Sequence, residues 1–239
     1  LPANTVCDPF TDPGSLDPSY GIHGSIHYLT SDQPHYRSAL DYLHFGHDEG
    51  VDLYLNSINV PTRNFRQGFQ THSGLQLTLP DGAPLIEYFS VHADTELALA
   101  SGDAPGDYQL AMLSDDGSLL TPSGAPQPLV DDDGVHATKM ECATTPVHFA
   151  DANSTYPVHL DYFQGPRYSI AWVILWRPWP SNPAEVRDPL CGKWDTTSFF
   201  NPATSPSTPG PDYLALVRRG WKPPTSANYK LQSGSNPCR

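Results

Sequence analysis

Short runs in which every second residue is apolar recur along most of the chain, and an apolar spacing of three and four persists almost nowhere. "GIHGSIHYL" (21 to 29) sets Ile22, Ile26 and Tyr28 on one face, and "VDLYLNSI" (51 to 58) does the same with Val51, Leu53 and Leu55. "GLQLTL" (74 to 79), "PLIEYFSVHA" (84 to 93), "TELALAS" (95 to 101) and "GDYQLAMLSDDGSLL" (106 to 120) continue the pattern, the last with Tyr108, Leu110 and Met112 in phase. Alternation of this kind is the pleat of a half-buried strand. "YPVHLDYF" (156 to 163) and "RYSIAWVILW" (167 to 176) carry the strongest signals. In the second, Ile170, Trp172, Ile174 and Trp176 oppose Ala171, Val173 and Leu175, so both faces are apolar and the strand is expected to be covered on both.

Twenty-six prolines and 18 glycines interrupt these runs and leave few windows long enough for a helix. Residues 121 to 156 read as polar and irregular, with "VDDDGVHA" (130 to 137) as a solvated turn. "PDYLALVRRGW" (211 to 221) predicts the one good helix: Pro and Asp open it, Leu214, Leu216 and Val217 lie within it, and Arg218, Arg219 and Gly220 close it. The pattern predicts an all-β antiparallel sandwich. A proline-rich lead-in (1 to 20) precedes a sandwich domain (21 to 180), and four prolines in "RPWPSNPAEVRDP" (177 to 189) mark the passage to a C-terminal extension (181 to 239) that packs on it.

Charge narrows the partners. Against 13 Lys and Arg stand 26 Asp and Glu, a formal charge of -13, whose field repels phosphate backbones and anionic bilayers. Neither nucleic acid nor membrane insertion is expected, and the longest apolar run, "YSIAWVILW" (168 to 176), falls far short of the roughly 20 residues of a membrane helix. Cys7, Cys142, Cys191 and Cys238 are dispersed and even in number, which points to disulfides and an oxidising compartment. Of the three possible connectivities, Cys7 with Cys142 and Cys191 with Cys238 is favoured, because the second pair closes the extension on itself. The chain starts at Leu1 with no charged and apolar leader, and reads as a mature or trimmed exported segment, secreted or displayed at the cell surface. Asn153 heads a glycosylation triplet, "NST".

Candidate chemistry is sparse. No G-x-S-x-G elbow, H-E-x-x-H helix or glycine-rich phosphate loop occurs. His44 and His47 precede Asp48 and Glu49 in "LHFGHDEG" without a closed set of ligands, so they read first as surface histidines. Trp179, Trp194, Trp221, Tyr168 and Tyr229 fall outside clear strand phase. They suit sugar stacking or an interface, while Trp194 and Trp221 also suit a small core for the extension. That leaves Asp115 and Asp116, adjacent acids at the end of a strand. They could chelate a cation, or they could shape a turn with Gly117 at positive φ, and the residues leave both open.

The order of three elements supplies a resemblance. "GIHGSIHYL", then Gly106, Tyr108, Leu110, Met112, Ser114, Asp115, Asp116 and Gly117, then Tyr156, Pro157, Tyr162, Phe163, Leu175 and Trp176, is similar over about residues 20 to 180 to the anthrax protective-antigen type domain. That family is a β-sandwich found in bacterial toxins, glycosidases, adhesins and fungal flocculins. The resemblance implies a cis peptide between Asp115 and Asp116, and one calcium held by Asp115, Asp116 and the side-chain amide of Gln164. Arg167 and Tyr168 of "FQGPRYS" (163 to 169) complete the expected ligand-binding rim, with Arg167 favouring an acidic sugar. It implies a non-catalytic adhesin or lectin for cell-surface glycan. The alternatives are a domain of a carbohydrate-active enzyme, or a structural fibre-tip domain that binds a protein. The extension is similar to those on adhesive fibre tips of bacterial predators, an analogy that also implies a homotrimer.

Overall fold

The computed structural model describes residues 2–11, 17–166, 169–195 and 197–239. Strands β1 (Thr5–Cys7) and β2 (Ile22–Tyr28) are followed by helix α1 (Ala39–Phe45), and β3 (His47–Asp48), β4 (Asp52–Leu55) and β5 (Asn59–Arg63) come next. A long loop leads to β6 (Phe89–Ala98), β7 (Gly106–Asp115) and β8 (Ser118–Pro122), then to the short β9 (Val130–Asp132), β10 (Lys139–Cys142) and β11 (Val147–Phe149). The long β12 (Thr155–Gln164) and β13 (Ile170–Pro178) follow. Beyond them lie β14 (Phe200–Asn201), β15 (Thr208–Pro209), helix α2 (Pro211–Arg218) and β16 (Tyr229–Lys230).

Two sheets stack face to face, so the expected all-β sandwich is the architecture. The larger runs β1-β4-β2-β6-β12-β8-β9, with β3 beside β2 and β16 beside β6; the smaller runs β10-β7-β13-β5, with β11 also on β7. β12 lies antiparallel to β6 over its whole length, from Thr155 opposite Ala98 to Gln164 opposite Phe89. β13 lies antiparallel to β7 from Ala171 opposite Asp115 to Pro178 opposite Tyr108. Ile22, Ile26, Val91, Leu160, Leu110, Met112, Trp172, Ile174 and Trp176 meet between the sheets in one continuous core. Removing such area from water drives the stacking, at roughly 25 cal/mol per Å2.

The second apolar face of β13 is explained by the extension. Val173 and Leu175, with Ala111 and Leu113 of β7 and Met140 of β10, are covered by Leu190, Phe199, Phe200, Leu216 and Trp221. Within α2 only Leu216 is buried, while Leu214 and Val217 remain exposed, since one narrow side of this short helix meets the sheet. Trp221 belongs to this outer core, whereas Trp194 is 63% exposed and does not.

The disulfides differ from the favoured pairing. Cys7 bonds Cys238, and Cys142 bonds Cys191. The path of the extension is the reason. It first crosses β10, where Met140 and the 192–193 turn exchange backbone hydrogen bonds (Gly192 N to Met140 O, 2.6 Å; Met140 N to Lys193 O, 2.9 Å), bringing Cys191 to Cys142. It then returns to the first sheet, where Gly21 N donates to Tyr229 O and Asn236 N to Pro18 O, which brings Cys238 to the lead-in and β1.

Four other expectations are corrected. Residues 74–79 form only isolated bridges at Gln76 and Thr78, because Gly74, Pro80, Gly82 and Pro84 interrupt the ladder, and Leu75 is 66% exposed. The runs at 84–93 and 95–101 are one strand starting at Phe89. The stretch from 121 to 156 holds β9, β10 and β11, each too short to show a period. Helix α1 was not expected: Ser38 gives no side-chain cap, and its first N–H is met instead by Asp133 Oδ1 (Ala39 N, 3.0 Å), a partner 94 residues away.

Candidate functional site

Asp115 ends β7 and Asp116 begins the turn into β8, with a cis peptide between them, as the resemblance implies. Asp116 is 4% exposed, and two loops enclose it: His136 N donates to its Oδ1 (3.1 Å) and Gly165 N to its Oδ2 (2.7 Å). The backbone carbonyl of Asp115 lies 2.6 Å from the Tyr162 hydroxyl, which also lies 2.7 Å from Gln164 Oε1. Asp115, Asp116 and Gln164 therefore gather at one end of the sandwich. Gln164 is buried there, its Nε2 donating to the carbonyls of Pro166 (2.7 Å) and Ser169 (3.1 Å), so that in this arrangement the amide braces its own loop. Arg167 and Tyr168 lie outside the described residues.

Gly117 does not take positive φ; its role is close approach. A Cβ there would sit 2.5 Å from Gly134 N, 2.6 Å from Phe163 Cε1 and 2.7 Å from Asp133 Oδ1. The "DDDG" segment thus folds onto the turn instead of standing in solvent. Of its acids only Asp131 is exposed. Asp132 is fully buried, accepting from Ser114 Oγ (2.7 Å) and lying 2.9 Å from Lys139 Nζ, and Asp133 holds α1 as described.

These carboxyls are under electrostatic load. Burial first, and the Asp116 charge second, push the Asp115 carboxyl up to about 8 against an opposing hydrogen bond from the Thr138 backbone. Burial also raises Asp116, against the N–H groups of Gly165 and His136 and the His136 ring. It carries Asp132 to about 7 despite His136, Lys139 and Ser114. The hydroxyl of Tyr42, on the buried side of α1, is raised by burial and then by the Asp116 charge, and has no hydrogen-bond partner among the described residues. All these donors are hard oxygens, the set that suits calcium and not a soft metal. Among the described residues no three His, Cys, Asp or Glu side chains form a metal-holding group, so a cation here would take two carboxylates and draw the rest of its shell from carbonyl and hydroxyl oxygens.

Elsewhere, the outer face of the larger sheet carries a relay that the alternation pattern did not single out. Asp161 Oδ1 lies 2.7 Å from Nδ1 of His92, whose Nε2 lies 2.8 Å from Ser90 Oγ. The order of atoms is that of an activated serine. However, Ser90 is 0% exposed, and its strand is paired on both edges, opposite His27 and Phe163, so its N–H groups are engaged in ladders and cannot stabilise an oxyanion. The relay is read as a structural network. His44, His47 and Glu49 are surface residues around β3, and Asn153 is exposed in a turn. Among the described residues no helix is long and apolar enough to cross a membrane.

No protein-family model and no curated protein matches the chain. Among solved structures it is similar to an anti-sigma factor domain-containing protein (14% identity, TM-score 0.45, covering 68% of this chain and 44% of that one). It is also similar to the PA14 domain of the MpAFP antifreeze protein (12%, 0.45, covering 72% and 88%). A third is the Epithelial Adhesin 6 A domain from Candida glabrata, in complex with Galb1-3GlcNAc (16%, 0.45, covering 83% and 94%). The chain spans less than half the length of the first of these. At such identities and scores no functional residue passes from them to this chain.

Proposed function

We propose that this chain is a carbohydrate-binding module of a secreted or surface-displayed adhesin, and that it engages cell-surface glycan at the end of the sandwich where Asp115 and Asp116 lie. The observation that carries the reading is the acidic turn itself: two adjacent buried carboxyls, Asp116 held by the 136 and 165 loops and Asp115 by the Thr138 backbone, with no basic side chain hydrogen-bonded to either in the described structure. Asp115 and Asp116 would hold a calcium ion there, Asp116 kept in place by the N–H groups of Gly165 and His136. When bound, the ion supplies open coordination positions for a vicinal pair of sugar hydroxyls. The loops beside it supply selectivity, as loops on a fixed scaffold do. The two disulfides support an oxidising destination.

A glycan array read with calcium and with chelator tests this, using the chain and its Asp115→Asn variant. Glycans retained with calcium should be lost with chelator and with the variant. Retention indifferent to both, or no retention of any glycan, overturns the reading, and turnover of a retained oligosaccharide would move the chain to the carbohydrate-active enzymes.

A further inference from the structure

On the far side of the 165 loop from Asp116 lies a groove of about 580 Å3, within the roughly 300–1,000 Å3 of small-molecule clefts. Its apolar wall is Leu79, Pro80, His35 and Tyr88. Tyr88 is the one non-glycine residue at positive φ (52°) among those described. Its backbone is fixed on both sides, Tyr88 N donating to Gly165 O (3.0 Å) and Leu29 N to Tyr88 O (3.0 Å). A side chain at such a φ is strained, and glycine would relieve it. The fold keeps a tyrosine there all the same, half-buried, with the exposed His35 ring stacked on it at 3.9 Å and 18°. A rigid aromatic pair at the edge of a cleft is what the apolar face of a pyranose packs against.

The groove also has a sign. Asp32 and Asp81 stand exposed on its rim, and the Thr30 hydroxyl holds Asp32 below the usual carboxylate range, so it stays charged at neutral pH. No lysine or arginine occurs among the described lining residues. At physiological salt the field of these rim carboxylates decays over about 8 Å, so it is felt by a ligand seated beside them.

We propose that this groove is a second saccharide subsite, continuous with the acidic turn through the Asp116–Gly165–Tyr88 hydrogen bonds. It takes a neutral or amino-bearing pyranose on the Tyr88–His35 platform and discriminates against carboxylate-bearing sugars. The inference rests on the glycan-binding reading above, and it reverses the preference for acidic sugars that Arg167 suggests from sequence.

An array of glycans, each printed beside its sialylated counterpart, tests it with the wild-type chain, Tyr88→Gly and His35→Ala. Tyr88→Gly removes the ring at a φ that glycine adopts freely, and His35→Ala changes an exposed side chain only, so both should fold. Neutral or amino-bearing glycans should be retained and their sialylated partners held about tenfold less; each variant should weaken retention by about tenfold, while terbium luminescence at the acidic turn is unchanged. Equal retention of sialylated partners, or variants that bind like wild type while calcium-dependent retention persists, overturns the subsite and leaves the module standing. Loss of all retention in the wild type overturns both.

Discussion

Asp188 and Asp116 are about equally buried, at 2% and 4% exposure, yet their surroundings treat them in opposite ways. Asp188 accepts from Arg219 Nε and NH2 (both 2.7 Å), from Trp221 Nε1 (3.0 Å) and from Leu190 N (3.0 Å), with Arg177 at 3.8 Å. Despite burial, those partners hold its carboxyl below the usual range. Asp116 is raised by burial, against only two backbone N–H groups and the nearby His136 ring. A carboxylate that ties parts of the extension to one another is neutralised by the chain itself. The acidic turn is left to be neutralised from outside, by protons or by a cation, and that difference separates a structural group from a candidate site more clearly than burial does.

Isosteric amides should break or sharpen this contrast most strongly. Asp188→Asn leaves Arg219 and Arg177 without their buried counter-charge and should cost on the order of 3 kcal/mol in urea unfolding. Asp115→Asn keeps an acceptor for Thr138 and should change the stability of the cation-free protein by less than about 1 kcal/mol, while abolishing calcium uptake. Equal losses for the two would remove the contrast. Comparable in size to the Asp188 effect is the Cys142–Cys191 bond, which closes a loop with a sequence separation of 49; replacing both by Ser should cost about 2–4 kcal/mol in urea unfolding and loosen the outer core around Trp221.

The contrast also has a pH signature. Asp115 and Asp132, raised to about 8 and about 7, bind protons in the folded state that they do not bind in the unfolded state above about pH 4. Cation-free stability should therefore fall as pH rises from about 4 to 8. Asp188, lowered by its partners, contributes the opposite way: its stabilisation is present above the ordinary carboxylate range and lost below it. Without calcium, melting near pH 5 should lie above melting at pH 8, and calcium should narrow the gap. A melting temperature that climbs from pH 5 to 8 without calcium would show that the acidic turn is compensated within the chain after all.

Alternation determined the long strands, because a pleat needs only neighbours two apart to agree; β2, β7, β12 and the two-faced β13 follow from their own residues. The adjacent acids, Asp115 and Asp116, were equally visible as a local pair. What covers the second face of β13, which cysteines meet, and that Asp132 and Asp133 are folded inward depend on the return path of residues 180–239 and on contacts such as Asp133 with Ala39, 94 residues apart. The same holds for the compensation of Asp188 by Arg219, and for Tyr88 clamped between Leu29 and Gly165. Burial and compensation are properties of three-dimensional neighbours, so a carboxylate's environment is decided only when the sheets close and the extension docks.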